Sequence, residues 1–357
     1  MLFETFKLRD VDLSNRTVMA PLTRSRATEN NTANSLMAEY YAQRATAGLI
    51  ITEGTSPSPN GLGYARIPAL FEEDHVKGWK LVTDAVHAKG GKIVVQLMHT
   101  GRVSHQENLP EGAEVLSSYA EVCPGEIWTD SMGNLPYTLP RAMNTADIDA
   151  AVAEYAAAAV LAMKAGFDGV ELHAANGYLI EQFLNANVNR RDDAYGGSAE
   201  RRNRFLLEVT RATIKEIGAN RVGVRLSPYG VVNSTGIYDG IDDQYIPLVK
   251  ELSGLGLMYI HVLDHAAMGA PAVPSELKTA LRAAFNGPFI LAGGFDKMSA
   301  EQALTSGQAD LIAMGRPFLA NPDLVARLQQ DQELNKPDPS TFYTPGPRGY
   351  TDYPLKG

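Results

Sequence analysis

Short apolar runs recur along the chain, and each one ends in polar or glycine-containing residues. This pattern predicts buried β-strands separated by helices. The helical stretch Thr145 to Ala165 is an example, because Thr145 can cap it, alanines favour its interior and Gly166 can end it. The predicted strands are Thr17 to Ala20, Leu49 to Glu53, Lys92 to Leu97, Gly169 to His173, Arg221 to Leu226, Met258 to Val262, Phe289 to Gly293 and Leu311 to Gly315.

The alternation of eight strands with helices predicts an α/β fold, namely a single (β/α)8 TIM barrel, since strands in that order lie parallel beneath covering helices. No linker-like composition divides the chain, so we expect one domain over residues 1–357. Two segments depart from the repeat. Leu2 to Leu13 is predicted to form an N-terminal hairpin at the bottom of the barrel, and Gly101 to Asn144 a long capping insertion after the third strand.

Composition narrows the function classes. The chain is 45% hydrophobic with a formal net charge of −9, and no basic stripe is present to bind nucleic acid or an anionic membrane. Cys123 is the only cysteine, which excludes a disulfide framework and a four-thiolate cluster, and fits a reducing, cytoplasmic setting. The N-terminus has no targeting pattern, no apolar run is long enough to span a membrane, and we expect no metal.

The segment His173-Ala174-Ala175-Asn176-Gly177-Tyr178 carries the strongest chemical signal. It begins where a predicted strand ends, and the active sites of such barrels lie at the carboxyl ends of the strands. An imidazole and a carboxamide that can bind an oxygen therefore stand close to a phenol that can deliver a proton. This set suits the reduction of an activated double bond.

Other strand ends carry polar groups as well, including Thr23 after the first strand and Gln96 in the third. Arg225 lies among valine and leucine in the fifth strand, where a guanidinium needs a partner. That partner is either a buried ion pair or an electron-accepting ring that carries negative charge. Gly293 and Gly294, together with Gly315-Arg316, end the last two strands and form the usual phosphate corner of the barrel.

These motifs resemble the Old Yellow Enzyme family of flavin-dependent ene-reductases, and within it the bacterial branch of the pentaerythritol tetranitrate, morphinone and N-ethylmaleimide reductases. The resemblance covers nearly the whole chain, from residues 19–24 through 95–102 to 349–354, and is most specific over residues 173–197. Thr23 places the chain with the threonine-containing branch. Met98 is a departure, because relatives often have tryptophan there, and it implies a more flexible pocket floor.

The resemblance implies one non-covalent FMN. Thr23 would hydrogen-bond its O4, Gln96 would hold the pyrimidine edge, and Arg225 would stabilise charge at N1 and O2. Further cofactor contacts would come from Pro21, Gly54, His173, Gly293, Gly294, Gly315 and Arg316.

The family resemblance also implies an NAD(P)H oxidoreductase that reduces the C=C bond of α,β-unsaturated carbonyl compounds and nitroalkenes. NADPH or NADH would reduce FMN, flavin N5 would deliver hydride to the substrate, and Tyr178 would protonate the neighbouring carbon. His173 and Asn176 would bind the carbonyl or nitro oxygen, and reduction of nitrate esters and nitroaromatics stays open. The remaining substrate contacts would be Thr23, Tyr64, Met98 and Tyr343.

Two alternatives stay open at this point. His261 and His265, near Asp264, could belong to a metal-dependent TIM-barrel hydrolase, although that spacing is a weak signal. A flavin-binding protein without turnover is the other. The sequence does not decide between NADPH and NADH, between monomer and homodimer, or among natural substrates.

Overall fold

The computed structural model describes residues 1–356 of the chain. Its β-strands are β1 Phe6–Leu8, β2 Val11–Leu13, β3 Thr17–Met19, β4 Leu49–Thr55, β5 Ile93–Leu97, β6 Leu116–Ser117, β7 Glu126–Thr129, β8 Gly133–Pro136, β9 Arg141–Ala142, β10 Gly169–Ala174, β11 Val222–Leu226, β12 Tyr259–Leu263, β13 Phe289–Ala292 and β14 Leu311–Met314. Its α-helices are α1 Ser35–Gln43, α2 Glu73–His87, α3 Thr145–Lys164, α4 Leu179–Leu184, α5 Ala199–Ile217, α6 Ile241–Gly254, α7 Ser275–Ala284, α8 Lys297–Thr305, α9 Arg316–Ala320 and α10 Leu324–Gln329.

Eight parallel strands close into a barrel in the order β10-β11-β12-β13-β14-β3-β4-β5, with helices around it. Each predicted apolar run provides one of these strands, so the predicted TIM barrel is confirmed. Strand β4 continues to Thr55, past its predicted end, because an irregularity between Ile51 and Gly54 shifts its pairing with β5. Such a bulge redirects the chain at a barrel rim.

Helix α3 shows one error of the sequence analysis. Its N-cap is Asn144, one residue before the predicted cap Thr145. The Asn144 side chain accepts a hydrogen bond from the Asp147 backbone at 3.0 Å, and the Asp147 carboxylate accepts one from the Asn144 backbone at 2.8 Å. This reciprocal capping box satisfies two donors that Thr145 would have left open. Gly166 follows the helix with φ 91°, as a terminating glycine does.

The two irregular segments lie at opposite ends of the barrel. Strands β1 and β2 form the antiparallel hairpin, whose Leu8 and Leu13 pack against the amino ends of β3 and β4 at Val18 and Leu49. Within residues 101–144, β7 and β8 form a second hairpin. Asp130 at its turn hydrogen-bonds Arg66, which follows β4. This second hairpin therefore lies at the carboxyl rim, where barrel active sites are found.

Within residues 1–356, the structure contains no helix that combines the length and the apolar character required to span a membrane.

Candidate active site

A cavity of about 570 Å³ opens at the carboxyl ends of the barrel strands. A second cavity of about 690 Å³ adjoins it, and Thr23, Tyr178 and Tyr343 line both. Of the predicted site residues only Tyr64 lines the second cavity alone. The first cavity is lined by the predicted residues Pro21, Thr23, Gly54, Gln96, Met98, His173, Asn176, Tyr178, Arg225, Gly293, Gly294, Gly315, Arg316 and Tyr343.

The segment from His173 to Tyr178 turns over the cavity between β10 and α4. His173 is in the last part of β10, and Tyr178 is the N-cap residue of α4. Asn176 has φ 60° and Gly177 φ 73°, so two successive residues take the left-handed conformation. Asparagine and glycine tolerate it best, which explains why this sequence can make such a tight turn.

The imidazole and the phenol of this segment meet edge to face. The ring centroids of His173 and Tyr178 are 5.0 Å apart, and the planes make an angle of 69°. The Tyr178 hydroxyl lies 3.1 Å from the Tyr64 hydroxyl, and this hydrogen bond lies where the two cavities meet. Burial raises the pKa of Tyr178, so the phenol keeps its proton at neutral pH and can act as an acid.

Neighbouring residues bind three of the four polar groups of Asn176. Its backbone N–H donates to Ser227 Oγ at 2.9 Å, and its backbone oxygen accepts from Asn233 Nδ2 at 2.7 Å. Its side-chain Oδ1 lies 2.8 Å from His265 Nε2. The remaining group, the Nδ2 amide, is left to donate to a molecule in the cavity.

His173 lies beside charged neighbours. Its register partner on β11 is Arg225, which in turn pairs with His261 on β12. Burial, and then the positive charge of Arg225, holds the pKa of His173 well below its usual range. His173 is therefore neutral and carries one N–H donor, while its buried Nδ1 has no partner within residues 1–356.

Arg225 is buried at the base of the cavity, with 5% of its surface exposed, and its Nε has no hydrogen-bond partner in the described chain. Burial lowers the pKa of Arg225, and the charge of Glu171 on β10 offsets only part of this. Gln96 Nε2 donates to Glu171 Oε1 at 2.8 Å, so the Gln96 carboxamide is held at the cavity wall. Neither guanidinium nor carboxamide is fully satisfied by protein, and both can bind a polar ring edge.

The corner formed by β13 and β14 gives a ligand close access to backbone. Gly293 has φ 143°, and a Cβ there would lie 2.6 Å from the Asp264 carbonyl oxygen. Gly294 has φ 76°, and its Cβ would meet the Ala267 Cβ at 2.4 Å. The side chain of Arg316, which follows Gly315, is exposed and lines the same corner. Glycine backbone with a free guanidinium is a suitable phosphate cradle.

Gly54 and Met98 form one wall of the cavity. A Cβ on Gly54 would lie 2.4 Å from the Met98 sulfur, so a larger residue here would require the Met98 side chain to move. Met98 is buried in a cluster with Leu62, Ile67 and Ala69. The unbranched thioether can adapt to ligands of different shape.

These residues fit the predicted FMN. A buried guanidinium and an imidazole, each with an unpartnered nitrogen, face the same cavity as a held carboxamide and the Thr23 hydroxyl. A flavin ring has a polar edge that such donors can bind, and the glycine corner offers the close backbone approach that a phosphate requires. The donor set and the cradle thus match the two ends of one ligand.

The proposed metal site is not assembled. His261 Nδ1 lies 2.8 Å from Glu171 Oε2, and His265 Nε2 is bound to Asn176, so the two imidazoles serve different partners. Among residues 1–356 no group of three or more His, Cys, Asp or Glu side chains is placed to hold a metal ion.

Sequence reasoning missed part of the cavity lining. His265 was interpreted only as a metal ligand, and Phe342 next to Tyr343 was not singled out. His265 and Asn176 are 89 residues apart, so no local sequence pattern indicates their contact. The other unpredicted lining residues are Ala20, Leu22, Val232, Leu263, Asp264, Ala267, Met268, Ala292, Phe295, Ala313, Met314, Pro317 and Leu319.

Comparison with known proteins finds relatives along nearly the whole chain. A 12-oxophytodienoate reductase 7 of Oryza sativa subsp. japonica is 41% identical, with 100% of this chain and 95% of the relative covered. A probable flavin mononucleotide-dependent alkene reductase of Leishmania infantum is 43% identical, with 96% of this chain and 94% of the relative covered.

Solved structures share the fold over nearly the whole chain. Morphinone reductase in complex with tetrahydroNAD has a TM-score of 0.94 and 42% identity, with 100% of this chain and 98% of that chain covered. The Old Yellow Enzyme homologue of Zymomonas mobilis has a TM-score of 0.95 and 40% identity, with 99% of both chains covered. The sequence profile of the NADH:flavin oxidoreductase / NADH oxidase family matches residues 1–335. The chain therefore belongs to that family and is an FMN-dependent NAD(P)H oxidoreductase of the Old Yellow Enzyme type.

Proposed function

We propose that this enzyme reduces the activated C=C bond of α,β-unsaturated carbonyl compounds and nitroalkenes. One observation carries the proposal. His173, Asn176 and Tyr178 come from a single segment and line one cavity above Arg225, so two oxygen-binding groups and a proton donor face the same space. A substrate that accepts hydride at one carbon and a proton at the next requires this combination.

FMN, when bound, supplies hydride transfer between the nicotinamide and the substrate. Arg225, Gln96 and Thr23 would hold the polar edge of its ring, with Pro21, Gly54 and His173 beside the ring. Gly293, Gly294, Gly315 and Arg316 would hold its phosphate. The fixed positive charge of Arg225 favours a ring that gains negative charge.

His173 and Asn176 would bind the carbonyl or nitro oxygen of the substrate. Negative charge grows on that oxygen as the neighbouring double bond is reduced, and donors placed in advance stabilise it. Both side chains are neutral donors, since the pKa of His173 lies well below its usual range because of burial and Arg225. Loss of one such donor costs about 3 kcal/mol in comparable sites.

Tyr178 would donate the proton to the α-carbon. Its hydroxyl is part of the cavity wall. Burial raises the pKa of Tyr178, and the hydrogen bond with the Tyr64 hydroxyl, 3.1 Å away, lowers it by a smaller amount because it stabilises the phenolate that remains. A phenol that is protonated at neutral pH but has a partner for its anion suits a general acid.

The second cavity would admit substrate and nicotinamide in turn. Tyr343 is 60% exposed and lines both cavities, while Trp128 in the insertion is 54% exposed and lines the outer one. Residues 101–144 would therefore cap the outer cavity, and the whole chain would form a single domain. A nicotinamide complex is known for the similar morphinone reductase.

The test uses purified holoenzyme under anaerobic conditions. NADPH should bleach the blue-light absorption of oxidised flavin, and 2-cyclohexenone or 1-nitrocyclohexene should restore it with formation of the saturated product. A protein that binds flavin passively would not be bleached. Bleaching that neither compound reverses would contradict the proposed substrate class.

A further inference from the structure

We propose that His265 is a positioning residue that sets the orientation of the Asn176 carboxamide, so that its Nδ2 donor faces the substrate oxygen. This inference rests on the proposed function, because it concerns how one of the two oxygen donors is kept in place. His265 follows β12, whereas Asn176 follows β10, so the contact joins two strand ends across the rim.

A carboxamide has two ends with opposite hydrogen-bonding character. If Asn176 were rotated by a half turn, its oxygen would face the cavity and would repel the negative charge that develops on the substrate oxygen. Only the partner of Oδ1 distinguishes the two orientations. That partner is His265 Nε2, at 2.8 Å.

The imidazole has to donate for this to work. Burial lowers the pKa of His265 to about 4, so at neutral pH the ring is uncharged and carries a single N–H. With the proton on Nε2, His265 donates to Asn176 Oδ1 and the Nδ2 amide is left for the substrate. With the proton on Nδ1, the lone pair of Nε2 would attract the amide and turn the oxygen inward.

The backbone of Asn176 cannot compensate for a lost side-chain contact. It is held by Ser227 and Asn233 in a left-handed conformation with φ 60°, so the side chain leaves a fixed point and only its own rotation is free. His265 is 2% exposed and packs close to Gly230, which restricts the imidazole in turn. A rigid histidine thus controls the one rotation that decides whether position 176 donates or accepts.

Two variants of His265 separate the effect of hydrogen-bond donation from the effect of side-chain volume. His265→Leu fills similar space without a donor, and His265→Gln places an amide N–H where Nε2 lies. We expect His265→Leu to slow reoxidation of the reduced holoenzyme by 2-cyclohexenone about ten-fold, because a misoriented donor loses part of the oxyanion stabilisation. His265→Gln should recover most of this rate.

A double-mutant cycle tests the route of the effect. In an Asn176→Ala background, His265→Leu should cause less than about a two-fold further loss, since the two residues act through one donor. If His265→Leu slows the reaction equally with and without Asn176, or if the glutamine variant is as slow as leucine, the positioning role is wrong.

A spectroscopic measurement needs no turnover. ¹⁵N NMR of histidine-labelled holoenzyme should show His265 protonated at Nε2 at neutral pH, with the signal assigned by its loss in His265→Gln. Protonation at Nδ1 would overturn the inference. This result does not depend on the substrate class: a failed reduction of 2-cyclohexenone by the parent enzyme would reject the proposed function, whereas the tautomer would reject only the role of His265.

Discussion

Two buried glutamates, Glu171 and Glu181, flank the segment that carries His173, Asn176 and Tyr178. They lie in different surroundings, which shift their pKa values in opposite directions. Glu171 points into the barrel, where it contacts Gln96 and, two strands away, His261. Glu181 on α4 lies behind the segment, where it accepts from the Gly177 backbone at 2.6 Å and from Ser227 Oγ.

Burial alone would push the pKa of both carboxyls upward. At Glu171 the His261 imidazole, Arg225 and Gln96 outweigh burial and bring the pKa below its ordinary value. At Glu181 only neutral donors are present, and burial raises the pKa to about 8. The region beneath the cavity is therefore built around a charge, whereas the region behind residues 173–178 is built around a neutral hydrogen-bonding group.

The largest effect is expected from Glu171→Gln. The change removes the anion that pairs with His261 and acts at longer range on Arg225, and breaking a buried ion pair costs about 3–5 kcal/mol. The free energy of unfolding of the apoprotein should fall by that amount in urea denaturation. Glu181→Gln at neutral pH is the matched control, and its free energy of unfolding should decrease far less. Equal losses in the two variants would show that their regions do not differ in charge.

Arg225→Met should weaken FMN binding about ten- to one-hundred-fold, because a hydrogen bond to a charged group contributes about 1.5–3 kcal/mol. Titration of apoprotein with FMN, followed by quenching of flavin fluorescence, measures the change. The exposed Arg211, which pairs with Glu251 on the helical surface, provides the control variant Arg211→Met. An unchanged affinity in Arg225→Met would mean that the charged region does not serve the cofactor.

A pH dependence of stability is expected at Glu181. Its folded pKa of about 8 exceeds the model-peptide value, so the folded state binds more protons than the unfolded one between about pH 4.5 and 8. This group therefore stabilises the fold at acidic pH and loses that contribution as pH rises through the window. Glu181→Gln keeps the neutral form, so its Tm relative to the parent should rise from pH 5 to pH 8. A constant difference would contradict a raised pKa.

The two regions also differ in how far the sequence predicted them. The barrel and the position of residues 173–178 at its rim were predictable because apolar runs mark the strands and polar residues follow the strand ends. Glu171 and His173 are two residues apart on one strand and face the same side, so a local sequence signal for these two inner residues existed. The sequence nevertheless left the partner of Arg225 open. The contact of Glu181 with Ser227 and that of His265 with Asn176 span 46 and 89 residues, and no spacing rule connects them.

The cap of α3 failed for a more local reason. Asn144 and Thr145 are both good N-cap residues, and only the reciprocal bond with Asp147 decides between them. Residue roles in the cavity were predicted through family resemblance, and their placement around one space is what the folded chain adds.

Rapid mixing of Tyr178→Phe with its two substrates tests the central claim most directly. The reduced variant should be reoxidised by 2-cyclohexenone about 100-fold more slowly than the parent, because general acid catalysis contributes that much or more. Its reduction by NADPH should be unchanged. An unaltered reoxidation rate would contradict the assignment of Tyr178 as the proton donor above the cavity.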